Sequence, residues 1–503
     1  MKKNHFFTYS KMCVLALTAA SALLLASCAK DGFDPESFDA GVSNTQVESI
    51  SAEDITITPS ADGKSQTFSW PVVMGAGGYR VTLIDVANPL EPIINDSIVD
   101  GCTVTGSREE DVNYELTLMV LGNKAKNNSD ATEVTTVEFT TFTPTYMTIP
   151  AGTDLNAWFA ANPIPDGALT ENYNYDLEGG GEYTVSDELD FDGHWVTLRS
   201  NSKNDPANIT YTTAASCINF AAPFNAKYLH FDCAAMADNN GVFGFSKNPT
   251  AQRYTENNGF AVSDFVIFQG NTSIVSCTFD DVNGYFFWDN RKDQKVAAVQ
   301  FVIDNCVVEL TPATSVSGAV IWTNKGGHIN DLTVSNSTFY ISSEGDYKYF
   351  YQAGMYRAKD IGMGGPAADQ TGPGNSLTYK NCTFYHIAWN NGQWGNYNGM
   401  QGKLDSFWRM TNCIFYDCST SGSVPRRFLH GQAYANNPDN KTFANNTYMN
   451  ADGTFQDPQN YDTSGTIIES DPQFANPALG DFTISGAEQV ARQTGDPRWL
   501  PNQ

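Results

Sequence analysis

The chain has 503 residues, with 29 Lys and Arg against 56 Asp and Glu, and a formal net charge of −27. A chain this acidic excludes nucleic acid and anionic membrane faces as natural partners, because like charges repel. Only 17% of residues are charged while 13% are aromatic, a balance that suits an all-β protein of more than one domain.

The first 27 residues carry Lys2, Lys3 and Lys11, then an apolar run from Met12 to Ala26. That run is too short to span a bilayer comfortably and has the layout of a secretory signal. It ends Leu25-Ala26-Ser27-Cys28, which resembles the lipobox of bacterial lipoproteins. The resemblance implies cleavage before Cys28 and a lipid on that residue. The membrane is then expected as a partner through the lipid anchor only. Residues 28–49 read as an acidic, solvated tether. Their acidic residues just behind Cys28 resemble the surface-export signal of Bacteroidota lipoproteins, which implies an outer-membrane protein facing outward.

Residues 50–143 contain short alternating strands separated by Gly, Asn and Asp turns, the pattern of a β-sandwich. Trp70 followed by Gly78-Tyr79-Arg80-Val81 resembles a fibronectin type III module, in which Trp70 and Tyr79 pack in the core. From residue 146 the character changes. Asp154 is placed to cap a short helix with Leu155, Trp158 and Phe159 on one face. Such a helix suits the end of a solenoid.

A repeat follows. Ser276-Cys277-Thr-Phe-Asp280 is echoed by Asn305-Cys306, Asn336-Ser337, Asn381-Cys382, Asn412-Cys413 and Asn445-Asn446, in steps of 29, 31, 45, 31 and 33 residues. Short strands at a period near 30 imply coils of β structure stacked as a solenoid. Asn is expected at the bend, because it tolerates the left-handed region. The next residue, usually Cys, is expected to face inward, with an aromatic two positions on. The remaining cysteines, Cys102, Cys217, Cys233, Cys277, Cys306, Cys382, Cys413 and Cys418, are expected mostly as buried free thiols. No pair of them has zinc spacing.

This pattern resembles the right-handed parallel β-helix of the pectate-lyase type over residues 146–503, with its asparagine ladder. The segment from Ser470 to Trp499 is similar to a final coil of such helices. With the lipobox and the fibronectin-like module, the chain resembles Bacteroidota lipoproteins of polysaccharide-utilisation systems. That implies polysaccharide as partner and association with an outer-membrane glycan importer.

The register places Tyr340, Tyr385 and Tyr416 in one outward column, where exposed rings suit the C–H faces of sugars. Trp288, Trp322, Tyr351, Trp389 and Trp394 are further sugar-contacting candidates, with Trp389 and Trp394 expected to be the more exposed. The function expected is glycan capture at the cell surface. The alternatives are a polysaccharide lyase or hydrolase, or a surface adhesin with a protein partner. A lyase needs a base near Ca2+. Arg291 and Lys292 are the catalytic candidates for that alternative, and Asp280, Asp281, Asp289 and Asp293 the metal candidates. Otherwise no cofactor is expected. No pair of facing acids recurs at matched positions for a hydrolase.

Overall fold

The computed structural model describes residues 42–61, 63–165, 171–249, 265–289, 295–323, 327–353, 375–397, 407–429, 440–458 and 460–501. The chain divides into two compact units, Met1–Thr143 and Pro144–Gln503. Cys28 and the signal lie outside the described residues.

The first unit has two antiparallel sheets around one core. Thr56–Pro59, Ser65–Ser69 and Thr103–Ser107 form a three-stranded sheet. Ile94–Val99, Ala76–Asp85, Asn113–Gly122 and Thr135–Thr140, in that spatial order, form a four-stranded one. Strand Asn113–Gly122 shows why: its even-numbered residues are buried and its odd-numbered ones are not, so one face closes on the core. Trp70 and Tyr79 meet there edge to face, with ring centroids 5.3 Å apart. The tether expected over 28–49 is corrected where it is described. Thr45 N donates to Asn128 Oδ1 at 3.2 Å, Gln46 bridges Ser129, and Val47 is buried. These residues add to the unit because Val47 and Ile50 find its core.

The second unit is a parallel β-helix. Three sheets, of ten, ten and seven strands, are built by the chain visiting each in turn, and every pairing within them is parallel. Its core is nearly continuous Val, Ile, Leu, Phe and Tyr. The bends, one at Ser276 and five at asparagines, fall in the left-handed region: φ is 54° at Ser276, 54° at Asn305, 48° at Asn336, 53° at Asn381, 55° at Asn412 and 52° at Asn445. Asn381 Nδ2 donates to Asn336 Oδ1 at 2.9 Å, and Asn445 Nδ2 to Asn412 Oδ1 at 3.3 Å. The ladder is interrupted at Asn336, whose Nδ2 turns to Asp304 Oδ1 at 2.8 Å, and at Asn412, whose Nδ2 turns to Arg492 O and Gln493 O at 3.3 and 3.2 Å. After each bend Cys277, Cys306, Ser337, Cys382, Cys413 and Asn446 face inward, fully buried. The aromatics two positions on stack along the axis, Phe384 on Phe415 at 5.1 Å and Phe415 on Tyr448 at 5.6 Å.

Helix Leu155–Ala161 is capped by Asp154, which accepts from Ala157 N at 2.9 Å, and buries Leu155 and Phe159 against the first coils. The other end departs from expectation. Residues 470–499 do not form a final coil. Phe474–Asn476 and Asp481–Ile484 pair antiparallel, and the chain then runs back along the outer face of the second sheet. Gly495 N donates to Asn412 O at 2.9 Å, Asp496 N to Thr383 Oγ1 at 3.1 Å, and Arg498 Nη2 to Asn305 Oδ1 at 2.7 Å. The face it covers is apolar enough to hold it: Phe482, fully buried, lies edge-on to Tyr340 and Tyr385 at 5.2 and 5.5 Å.

Candidate functional site

That returning strap decides the fate of the tyrosine column. Glu309, Tyr340, Tyr385 and Tyr416 are register neighbours on the second sheet. They do face outward. Tyr340 is nevertheless buried beneath Phe482 and Gly480, and Tyr416 packs on Phe474. Trp499 Nε1 donates to Thr338 Oγ1 at 2.8 Å, closing the same surface. A column covered in this way offers no open ring face at Tyr340. Tyr385 and Tyr416 stay half-buried.

The outer face of the third sheet differs. Its strands are Glu188–Asp190, Cys217–Phe220, Gly241–Phe245, Tyr285–Trp288, Ser315–Thr323, Asp346–Ala353 and Gln393–Asn396. One row runs Asp190, Asn219, Gly244 and then Trp288, Trp322, Gln352, Asn396 as register partners, with Gly244 and Trp288 each one residue past the paired Phe243 and Phe287. Trp288 and Trp322 are half-buried on neighbouring coils, ring centroids 6.4 Å apart and planes 32° from parallel. Tyr285 supports both, at 5.4 and 5.2 Å. Gly244 lets the Asn219 side chain and the Trp288 backbone approach closely, since a Cβ there would meet Asn219 Oδ1 at 2.6 Å and Trp288 O at 2.7 Å. A cleft beside Trp288 is lined by Asn219, Asn240, Gly241 and Lys247. Asn219 Nδ2 donates to Glu188 Oε1 at 2.7 Å, and the Lys247 ammonium is ion-paired to the same carboxylate. Asn219, Asn240, Glu188 and Lys247 were not legible as site residues. Nothing local in the sequence links strands about 30 to 60 positions apart, and only the coil register brings them together.

The other candidates divide. Trp394 is fully buried, stacked on Phe350 at 4.7 Å, and Tyr351 is buried against Tyr397. Both are corrected from surface to core. Trp389 is half-buried: its ring stacks on His386 at 4.4 Å and its Nε1 donates to Gly345 O at 3.2 Å. His386 Nδ1 in turn lies 2.6 Å from Asp417 Oδ2.

The acids do not converge. Asp280 and Asp281 sit on the second-sheet strand Thr278–Val282, and Asp289 is buried just past the third-sheet strand Tyr285–Trp288. Burial raises the Asp280 carboxyl, and His230 at 3.6 Å opposes that. No group of three metal-ligating side chains occurs among the described residues. Arg291, Lys292 and Asp293 lie outside the described residues.

The class this fold defines is a parallel β-helix protein with a preceding antiparallel two-sheet unit. Three family models match the chain, each described as a domain of unknown function: DUF4992 over residues 1–181, DUF4957 over 181–342 and DUF5123 over 377–499. No curated protein matches. One solved structure to which the chain is similar is the pectate lyase PelI of Erwinia chrysanthemi in complex with tetragalacturonic acid. The identity is 10%, covering 68% of this chain and 84% of that chain, with a TM-score of 0.16. The parallel β-helix itself rests on the strand registers above.

Proposed function

We propose that this protein captures polysaccharide at the cell surface, holding it on the outer face of the third sheet. The observation that carries this reading is the pair Trp288 and Trp322, half-buried side by side in an outward row flanked by amides. Ring faces on neighbouring coils, with centroids 6.4 Å apart, suit the C–H faces of successive sugars, and the amides suit their hydroxyls. Affinity electrophoresis against a polysaccharide panel tests it. Retardation by at least one glycan is expected, with most of it lost in Trp288→Ala/Trp322→Ala while the thermal melt stays cooperative. Equal retardation of wild type and the folded double variant would sink the proposal.

Lipid attachment at Cys28 and display on the outer membrane belong to the same proposal, supported by the Leu-Ala-Ser-Cys sequence. Labelled palmitate should enter the wild-type chain and not Cys28→Ser. The first unit then serves as a fibronectin type III-like spacer. Its three-plus-four strand order and its Trp70–Tyr79 core pair support that role.

A further inference from the structure

A second aromatic group lies at the corner where the chain leaves the second sheet for the third. After strand Thr383–Tyr385 the loop 386–392 turns with φ of 59° at His386, 57° at Ala388 and 59° at Asn391. Such angles are disfavoured away from glycine and persist only where the surroundings hold them. Neighbouring coils hold them here. Asp346 Oδ2 accepts from Asn390 N at 2.8 Å, Thr420 Oγ1 from Asn391 N at 3.0 Å, and Gly345 O from Trp389 Nε1 at 3.2 Å. The segments that leave the second sheet on these coils, 311–314, 342–345, 386–392 and 417–423, all lie within the described residues.

The loop sets Trp389 and His386 face to face, ring centroids 4.4 Å apart and planes 18° from parallel. Both rings are half-buried, and Asn390 and Asn391 next to them are exposed. Asp417, itself buried, lies 2.6 Å from His386 Nδ1. A carboxylate only accepts, so this bond puts a proton on Nδ1 and leaves Nε2 of the neutral ring with a lone pair. Nε2 is not enclosed, and no described residue bonds it. It can accept from a sugar hydroxyl beside an indole suited to a sugar's C–H face. Asp346 opens its strand, and Gln352, the register partner of Trp322, stands about 20 Å further along it. The corner and the Trp288–Trp322 pair therefore lie toward opposite ends of the third-sheet strands.

Resting on the reading of glycan capture, we propose that His386 and Trp389 form a second sugar-contacting site, so that one polysaccharide chain is held at two points. The test is affinity electrophoresis of the full chain in xylan, glucomannan, polygalacturonate and alginate. In a polymer that retards the wild type, His386→Ala/Trp389→Ala should weaken retardation about threefold to tenfold with a cooperative melt, since losing one of two linked contacts lowers avidity. A folded variant retarded like the wild type would overturn the second site and leave capture at Trp288 and Trp322 standing. Should the variant not fold, the wild type answers through diethyl pyrocarbonate, which modifies an open imidazole nitrogen. The retarding polymer should slow modification of His386 severalfold, read by peptide mapping, relative to His230 on strand Leu229–Asp232. Slowing no greater than at His230 would overturn the second site. Retardation by none of the four polymers would overturn both readings.

Discussion

Asp346 stands at the start of a third-sheet strand and is almost fully buried, with Oδ2 accepting from Asn390 N at 2.8 Å. Burial pushes its carboxyl up from 3.8 to about 6. Below the lower value both folded and unfolded chains carry the proton. Between the two the folded state keeps a proton that the unfolded state releases. Stability therefore falls as pH rises from about 4 to about 6, by roughly 3 kcal/mol for this group. Asp346→Asn should raise the urea midpoint at pH 7 and flatten its dependence across that window. An unchanged slope in the variant would refute the assignment. Single residues were unevenly legible in the sequence. The asparagine bends were readable because their signal is local: Asn tolerates φ near 54° and an apolar residue precedes it by two. Trp394 was misread because its Gly and Asn neighbours report on a turn, not on the direction of the indole, which points at Phe350 and Phe384.

Among the elements, the strap over residues 474–499 depends most on one side chain. Phe482 is fully buried between Tyr340, Tyr385, Phe474 and Trp499. Phe482→Ala should cost about 3–5 kcal/mol in the strap's own attachment. Hydrogen exchange should then accelerate across 474–499 while amides of the coil at Phe384 keep their protection. Loss of protection throughout the helix would instead mark the strap as integral to the fold. The sequence suggested a last coil here through the resemblance of Ser470–Trp499 to the ending of other β-helices, and Asp481–Ile484 does alternate like a strand. Alternation states that one face is buried. It does not state whether the partner is the next coil or the outside of an earlier one.

For the whole molecule, the repeat period announced the solenoid, because each coil buries its face only by stacking on its neighbour. What the period could not announce was the row that crosses seven strands of the third sheet. The cysteines follow the same logic. All eight that the structure describes are free, and seven are buried. Thiols such as Cys233 and Cys277 are held well above their usual range by burial, so they act as small apolar groups. The melting temperature should therefore be the same with and without dithiothreitol; a drop on reduction would reveal bridges along the inward file.

One coil is longer than its neighbours, with 45 residues between Ser337 and Cys382. Across it Leu332 still pairs with Leu377 and Phe339 with Phe384, in register. Doubling a loop adds only about 0.6 kcal/mol of closure cost. Descendants of this sequence can therefore gain or lose whole segments at one coil while every other coil inherits its neighbours unchanged. On such a scaffold, selectivity can diverge by insertion and deletion as readily as by substitution.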